Sequence, residues 1–311
     1  MGDKTGIEWC DATWNPIKGC SRLSAGCRHC WAEGMASRFG GPGEHFHGLT
    51  KNGRWLGVTK FYEKTLDQPI RWKRPRMIAV CLMGDMFHPS VPDEWIDRVY
   101  DVMCEANQHI YMVLTKYPER MAAYFRTKVK PYVRKGFVEV FSGAEEIEAH
   151  RKKHLEAYIP EHIWAGASIE NQKAADERIV HLLRAPVLTS YLSVEPMLGR
   201  IVLRMPEVGE IEKEPTSPLA NPKEWDDYKY WAACDRGVKW VICGGESQAG
   251  ARPMKVEWAQ LLAKQCKDAH VPFFFKQGSK SNWPDFKNAD TFPEDLQMRA
   301  FPEFPGSYKG Q

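Results

Sequence analysis

The chain has 311 residues, 43% of them hydrophobic and 12% aromatic, enough to bury a sizeable core in one large α/β domain or two ordinary ones. A formal net charge of +3 points to no partner by itself, and nine cysteines spread over so long a chain exclude a small disulfide scaffold. No apolar run of about eighteen residues occurs, and Met-Gly-Asp-Lys-Thr-Gly is not a signal-peptide core, so a cytoplasmic protein with no membrane contact is expected.

Residues 12–17 read as a short extended run, followed at once by Cys20-Ser-Arg-Leu-Ser-Ala-Gly-Cys27-Arg-His-Cys30-Trp31. Three cysteines there stand within eleven residues, with gaps of six and two. Residues 77–82 are a buried strand, and 93–104 have helical spacing after Pro92. A strand at 110–114 precedes a helix opening near Pro118. Strands at 163–167 and 187–194 enclose a helix at 174–183. Strands at 238–243 and 271–276 enclose a helix at 256–269.

Strand–helix alternation repeated six or seven times predicts a parallel sheet with helices outside it. No Gly-x-Gly-x-x-Gly follows the first strand, which argues against a dinucleotide-binding sheet. A single partial or full (β/α) barrel over residues 1–311 is therefore expected, with rim insertions at about 40–75, 128–160 and 205–239. The second insertion includes a charged helix at 144–158, and the third an aromatic cluster of Trp225, Tyr228, Tyr230 and Trp231. From about residue 282 the tail is expected to be irregular. Two basic runs with interleaved aromatics, 71–76 and 128–135, suit a phosphate-bearing substrate or a solvated face.

In a barrel the polar residues after each strand meet at the C-terminal mouth. These are Cys20, Gly84-Asp85, Thr115-Lys116, Ser168, Glu170, Asn171, Glu195, Gly244-Gly-Glu246-Ser and Lys276. Three thiolates so close in sequence ask for a soft metal or an iron–sulfur cluster. One reading is a structural zinc on Cys20, Cys27 and Cys30, with Cys10 or His29 as fourth ligand. The other is a [4Fe–4S] cluster on the same three cysteines with its fourth iron open. Cys81, Cys104, Cys243 and Cys266 read as small buried hydrophobes. His45, His47 and His88 are not at ligand spacing with the cysteines and read as ordinary polar histidines.

The Cys-x-x-Cys-aromatic ending of that loop resembles the radical S-adenosylmethionine (SAM) superfamily, whose commonest first gap is three rather than six. Further blocks sharpen the likeness: residues 7–16, Gly84-Asp-Met-Phe-His88, Leu114-Thr-Lys116, Cys243-Gly-Gly-Glu-Ser247, Arg252-Pro253 and residues 271–277. Together they resemble the phage Gp37/Gp68 family, similar to radical SAM proteins of the spore photoproduct lyase branch. The resemblance implies a [4Fe–4S] cluster on Cys20, Cys27 and Cys30 that chelates SAM and cleaves it reductively, so that hydrogen is abstracted from a substrate. It also implies an electron donor such as flavodoxin or ferredoxin, and a phage-encoded protein in host cytoplasm.

Gly84 and Asp85 then suit the SAM amine, since a carboxylate gives an ammonium a charge-assisted hydrogen bond. Ser168, Glu170, Asn171 and Glu195 suit its ribose and carboxylate. Lys116 and Lys276 end strands and need an anion, for which SAM, a substrate phosphate and Glu246 are the candidates. These three, Lys116, Glu246 and Lys276, are the expected catalytic residues. The implied substrate is a modified nucleobase, a thymidine of phage DNA or its nucleotide, undergoing an isomerase- or lyase-type rearrangement. The rivals are a zinc-stapled nucleic-acid-binding protein without catalysis and an iron–sulfur protein that only transfers electrons.

Overall fold

The structure, a computed structural model, describes residues 5–129, 158–203 and 237–305. The expected helix at 144–158, apart from its last residue, the Trp225–Trp231 cluster and most of the second basic run lie outside these residues.

Eleven strands and six α-helices are described in chain order. They are β1 (Ala12–Trp14), β2 (Ile17–Lys18), α1 (Trp31–Arg38), β3 (Thr50–Lys51), β4 (Arg54–Trp55), β5 (Lys60–Phe61) and α2 (Gln68–Arg71). Then follow β6 (Met77–Val80), α3 (Asp93–Glu105), β7 (Ile110–Thr115), α4 (Pro118–Thr127), β8 (Ile163–Ser168) and α5 (Gln172–Leu183). The last are β9 (Ser190–Val194), β10 (Val238–Gly244), α6 (Val256–Asp268) and β11 (Phe273–Gln277).

Seven strands form one sheet in the order β1-β6-β7-β8-β9-β10-β11, and all six pairings are parallel. The sheet curls into a half-barrel whose end strands do not meet. Strands laid down in chain order, joined by right-handed crossovers, put α3, α4, α5 and α6 on the same face. The opposite, concave face carries the alternate side chains of each strand.

The two faces bury different sets. Tyr111, Val113, Ala165, Ala167, Leu192, Val194, Val241 and Phe275 point toward the helices. Met77, Ile110, Met112, Trp164, Tyr191, Trp240, Ile242 and Phe274 fill the concave side with Trp9 and Cys10. Continuing along the same faces, Ser168 follows Trp164, Ser193 and Glu195 follow Tyr191, and Lys276 follows Phe274. The concave surface thus changes from aromatic at the strand N-termini to polar at the C-termini. Large rings are buried at one end of this face, and the polar groups Ser168, Ser193, Glu195 and Lys276 stand at the other.

The expected boundaries shift where the chain lacks a donor. Asn15-Pro16 ends β1 because proline has no N–H for the ladder, and β2 turns away to pair antiparallel with β5. Pro272 likewise delays β11 to Phe273, although its carbonyl still accepts from the Val241 N–H at 3.1 Å. In the 40–75 stretch, Asn52 and Gly53 both take positive φ, the two-residue turn that closes hairpin β3–β4. The tail has two short 3-10 helices, and residues 298–300 pair along the outer edge of β11. Phe301 packs on Trp240 at 5.2 Å and Phe304 on Trp164 at 5.9 Å, so the tail covers both the edge strand and the aromatic floor. Cys81, Cys243 and Cys266 are buried and Cys104 half-buried. No helix among the described residues is long and apolar enough to cross a membrane.

Gly166 sits against the Tyr191 ring, where an added Cβ would come within 2.3 Å. Gly166→Ala is expected to destabilise the fold by about 1–3 kcal/mol through overpacking. A lowered denaturant midpoint with an unchanged slope checks this.

Candidate functional site

The cysteine loop starts where β2 leaves the edge of the sheet. Gly19 takes φ +101° and its backbone bridges Gly84, in the loop after β6. A Cβ on Gly84 would stand 2.7 Å from the Gly19 carbonyl oxygen, and one on Gly19 would stand 2.2 Å from that of Val58. Glycine at both positions allows the two loops to touch.

That contact sets Cys20 beside Asp85. Burial pushes the Cys20 thiol up, and the neighbouring Asp85 carboxylate adds to the shift. Asp85 is 6% exposed and accepts hydrogen bonds from the Thr115 hydroxyl at 2.7 Å and from the Phe87 and Lys116 N–H groups at 2.9 Å. Burial raises its pKa, and those three bonds oppose the rise. Asp85 therefore ties the loop after β6 to the end of β7.

Ser21 joins the same knot. Its Oγ lies 2.8 Å from His88 Nε2 and 3.5 Å from the Tyr117 hydroxyl, while His88 Nδ1 lies 2.8 Å from Ser90 Oγ. Burial lowers the His88 pKa, with Arg120 adding to it. Beyond Ser24 the chain makes a short 3-10 turn, Ala25–Cys27. Here the Gly26 N–H donates to Glu170 Oε1 at 3.4 Å. Glu170, 2% exposed, also binds Arg178 at 2.9 Å, and Arg178 donates to the Ser168 carbonyl at 2.7 Å. Burial alone would raise the Glu170 pKa, but the Ser24 hydroxyl, Arg178 and Lys116 bring it below the usual carboxylate range.

Cys27 differs from Cys20. Burial would raise its thiol too, yet the Lys116 ammonium and hydrogen bonds from the Ser24–Leu23 region outweigh it and favour the thiolate. Cys30 occupies the N-cap position of α1, with no capping bond from its side chain. Between the two, His29 Nδ1 lies 3.8 Å from Glu246 Oε2. Glu246, 5% exposed, is held by the Arg252 guanidinium and accepts from the Arg252 N–H at 2.7 Å. Behind the loop, buried Glu33 binds Arg22 at 2.5 Å and accepts from the Trp55 N–H at 2.8 Å, which locks loop, α1 and hairpin together.

The expected residues fall into two groups. Cys20, Cys27, Cys30, Gly84, Asp85, Lys116 and Glu170 form one neighbourhood, joined through His29 to Glu246. A cleft of about 560 Å³ opens beside it, lined by Ser24, Lys116, Arg120, Glu170, Asn171 and Arg178 among others. Asn171 uses its side chain to cap α5, accepting from the Ala174 N–H at 2.9 Å. The second group is the ion pair Lys276–Glu195, 2.9 Å apart on the concave face, with Gly244 leaving room for the Glu195 carboxylate. Lys276 acts electrostatically on Cys10, whose thiol burial pushes up to about 12. Cys10 itself packs in the aromatic floor.

Sequence reasoning weighs His29 only as a fourth zinc ligand, reads His88 as an ordinary polar histidine, and gives Arg178 and Arg252 no role of their own. His88 and Arg252 stand inside recognised blocks and carried that signal, whereas nothing in the spacing links Arg178 to a glutamate eight residues before it. The basic run at 71–76 stands directly before β6, at the N-terminal end of the sheet and away from the mouth. There Arg76 lies over Trp72 at 4.8 Å.

The match to a family model described as "Protein of unknown function (DUF5131)" spans residues 4–304. The chain belongs to the DUF5131 family. No curated protein and no solved structure matches it.

Two outcomes follow from these contacts. Arg178→Met removes the ion-pair partner of the buried Glu170 carboxylate, leaving it the Gly26 N–H and the Ser24 hydroxyl, and is expected to cost about 3 kcal/mol near neutral pH. Because the native Glu170 pKa is depressed, its contribution is present above the unfolded carboxylate pKa and is lost as pH falls. Unfolding curves of the two proteins should therefore converge in acid. In metal-free protein, Lys116→Ala should move alkylation of the Cys27 peptide to higher pH, since the ammonium that lowers this thiol is gone. Peptide mass spectrometry of iodoacetamide-treated samples reads it.

Proposed function

We propose that this chain is a radical SAM enzyme with a [4Fe–4S] cluster on Cys20, Cys27 and Cys30. The observation that carries the reading is the cysteine neighbourhood itself: three free thiols at the C-terminal mouth of a parallel half-barrel, with a cation beside one of them. Among the described residues, no group of three or more Cys, His, Asp or Glu is placed to hold one metal ion. A zinc tetrahedron needs all its donors at about 2.0–2.3 Å from one centre. A cubane takes one cysteine per iron, so it does not ask the thiols to converge on a point. The soft, all-sulfur donor set fits such a cluster. When bound, cluster and SAM supply one-electron, hydrogen-abstracting chemistry.

The chain's own residues bind, orient and shield. Lys116 stands next to Cys27, whose thiol it draws down, and beside the cleft. Glu170, held by Arg178, anchors the turn that carries Cys27 through the Gly26 N–H. Gly84 lets the loop after β6 reach Cys20, and Asp85 keeps that loop against β7. Glu246 steadies His29, between the second and third cysteines. On the concave face, Ser168, Ser193, Glu195 and Lys276 are the polar groups above the aromatic floor that a substrate would meet. The substrate reading, a thymidine-type nucleobase rearranged in phage DNA, takes its support from the Gp37/Gp68 resemblance. The run at 71–76 adds nothing to it, because of its place at the far end of the sheet.

Anaerobic purification tests the proposal. A brown protein with about four irons per chain is expected, cleaving SAM to methionine and 5′-deoxyadenosine on reduction. Cys27→Ala should lose most of the iron and the cleavage while keeping the circular-dichroism spectrum. A colourless protein with one zinc per chain, indifferent to SAM, would overturn the reading, and iron without SAM cleavage would leave electron transfer alone.

A further inference from the structure

Helix α1 is amphipathic in the wrong sense for its place in the fold. It turns Ala32, Glu33 and Ala36 inward, where the alanines pack with Phe46 and Leu49. It turns Trp31, Met35 and Phe39, each four residues from the next, outward, with exposures of 40%, 39% and 43%. A surface helix of a globular domain ordinarily shows the opposite pattern, with its large apolar residues facing the core. Three large apolar side chains in one exposed row mark a contact surface rather than scattered exposure.

The charge around this row is mainly basic, with Glu44 in the loop after α1 as an exposed acid that accepts from the Gly41 N–H. Arg28, Arg38 and Arg54 are exposed, and none has a carboxylate partner among the described residues. Arg38 lies over the Phe39 ring at 5.3 Å, so its charge stands at the rim of the stripe. The one acid on the helix, Glu33, is 3% exposed and bound to Arg22. An apolar centre inside a basic rim is complementary to a protein with an apolar patch ringed by carboxylates. Arginine suits that rim because its planar fork meets carboxylates in pairs. Single-stranded nucleic acid fits less well, since Met35 stands between Trp31 and Phe39 in the row and gives a base no flat face to stack on.

The place of the stripe says what the partner does. Cys30 is the N-cap of α1, so Trp31 is the covalent neighbour of a cysteine of the proposed cluster. We propose that the exposed face of α1 is the docking surface for a small acidic one-electron carrier protein. This rests on the cluster reading above. The carrier gives up one electron and the cluster takes it, with no bond made or broken.

The test uses anaerobically purified holoprotein and reduced flavodoxin as the probe. Three proteins are compared: the unaltered chain, Arg38→Glu/Arg54→Glu, and Met35→Asp. Reduction of the cluster by flavodoxin should slow by roughly tenfold or more in both variants, and in the unaltered chain it should slow as salt rises. Reduction by dithionite, which needs no docking surface, should be the same in all three. Binding of oxidised flavodoxin to metal-free chain supplies a readout independent of the cluster, and it should weaken in the same variants. A brown protein whose flavodoxin rate and binding ignore these substitutions overturns the docking surface and leaves the proposed function standing. A colourless protein that binds flavodoxin through Arg38 and Arg54 removes the proposed function and leaves the surface. Loss of a labelled single-stranded oligonucleotide instead of flavodoxin would reassign the face to nucleic acid and overturn the proposal.

Discussion

Everything in this molecule hangs on strands that run parallel and neighbour one another in chain order. Antiparallel hairpins would return the chain to alternate ends of the sheet. Here each crossover brings it back to the same end, so seven strand C-termini gather along one rim. Loops 20–30, 84–88, 116–117, 168–171, 195 and 244–252 come from distant parts of the sequence, yet all leave from that rim. The same rule leaves a concave face with no helix on it. Trp164, Tyr191, Trp240 and Phe274 fill its lower part, and the tail closes it with Phe301 and Phe304.

The rim would cost stability if its charges were left alone, because a buried carboxylate without partners is strongly disfavoured. Each buried acid there has a specific role in joining loops. Asp85 joins the β6 and β7 ends, Glu170 joins α5 to the cysteine turn, and Glu246 joins the β10 loop to His29. Glu33 does the same between the loop, α1 and the hairpin. Three of these carboxylates, Glu33, Glu170 and Glu246, thus hold the stretch 20–30, whose own short 3-10 turn could not fix three thiols. This is why the thiols are so unlike: Cys20 faces Asp85 and is pushed up, while Cys27 faces Lys116 and is drawn down.

The outward face of α1 belongs to the same arrangement. Its small residues allow the helix to lie close on Phe46 and Leu49, which brings Cys30 back toward the rim. The larger side chains are left outward, where the proposed carrier would dock. A helix that starts at a cysteine of the site and ends in an arginine-rimmed aromatic surface connects inside to outside over eight residues.

The sequence by itself determined the fold class and the strands. Apolar runs of four to eight residues alternating with helical periods leave little choice but a parallel sheet with outer helices, and eleven elements stand within a few residues of where the pattern puts them. It also determined which thiols stand together, since their spacing is local. The apolar pattern alone runs strands through Pro16 and Pro272 and leaves 40–75 as an insertion, whereas the structure stops the strands at those prolines and closes a hairpin at Asn52-Gly53. Tertiary structure alone decided the pairings. Glu170 with Arg178, Glu195 with Lys276, Glu246 with His29 and Ser21 with His88 join residues whose proximity depends on how the strands line up. It alone also sent the basic run at 71–76 to the far end of the sheet and turned Trp31, Met35 and Phe39 outward. The physical reason is the same in each case: periodicity reports which face of an element is apolar, but not which element it meets.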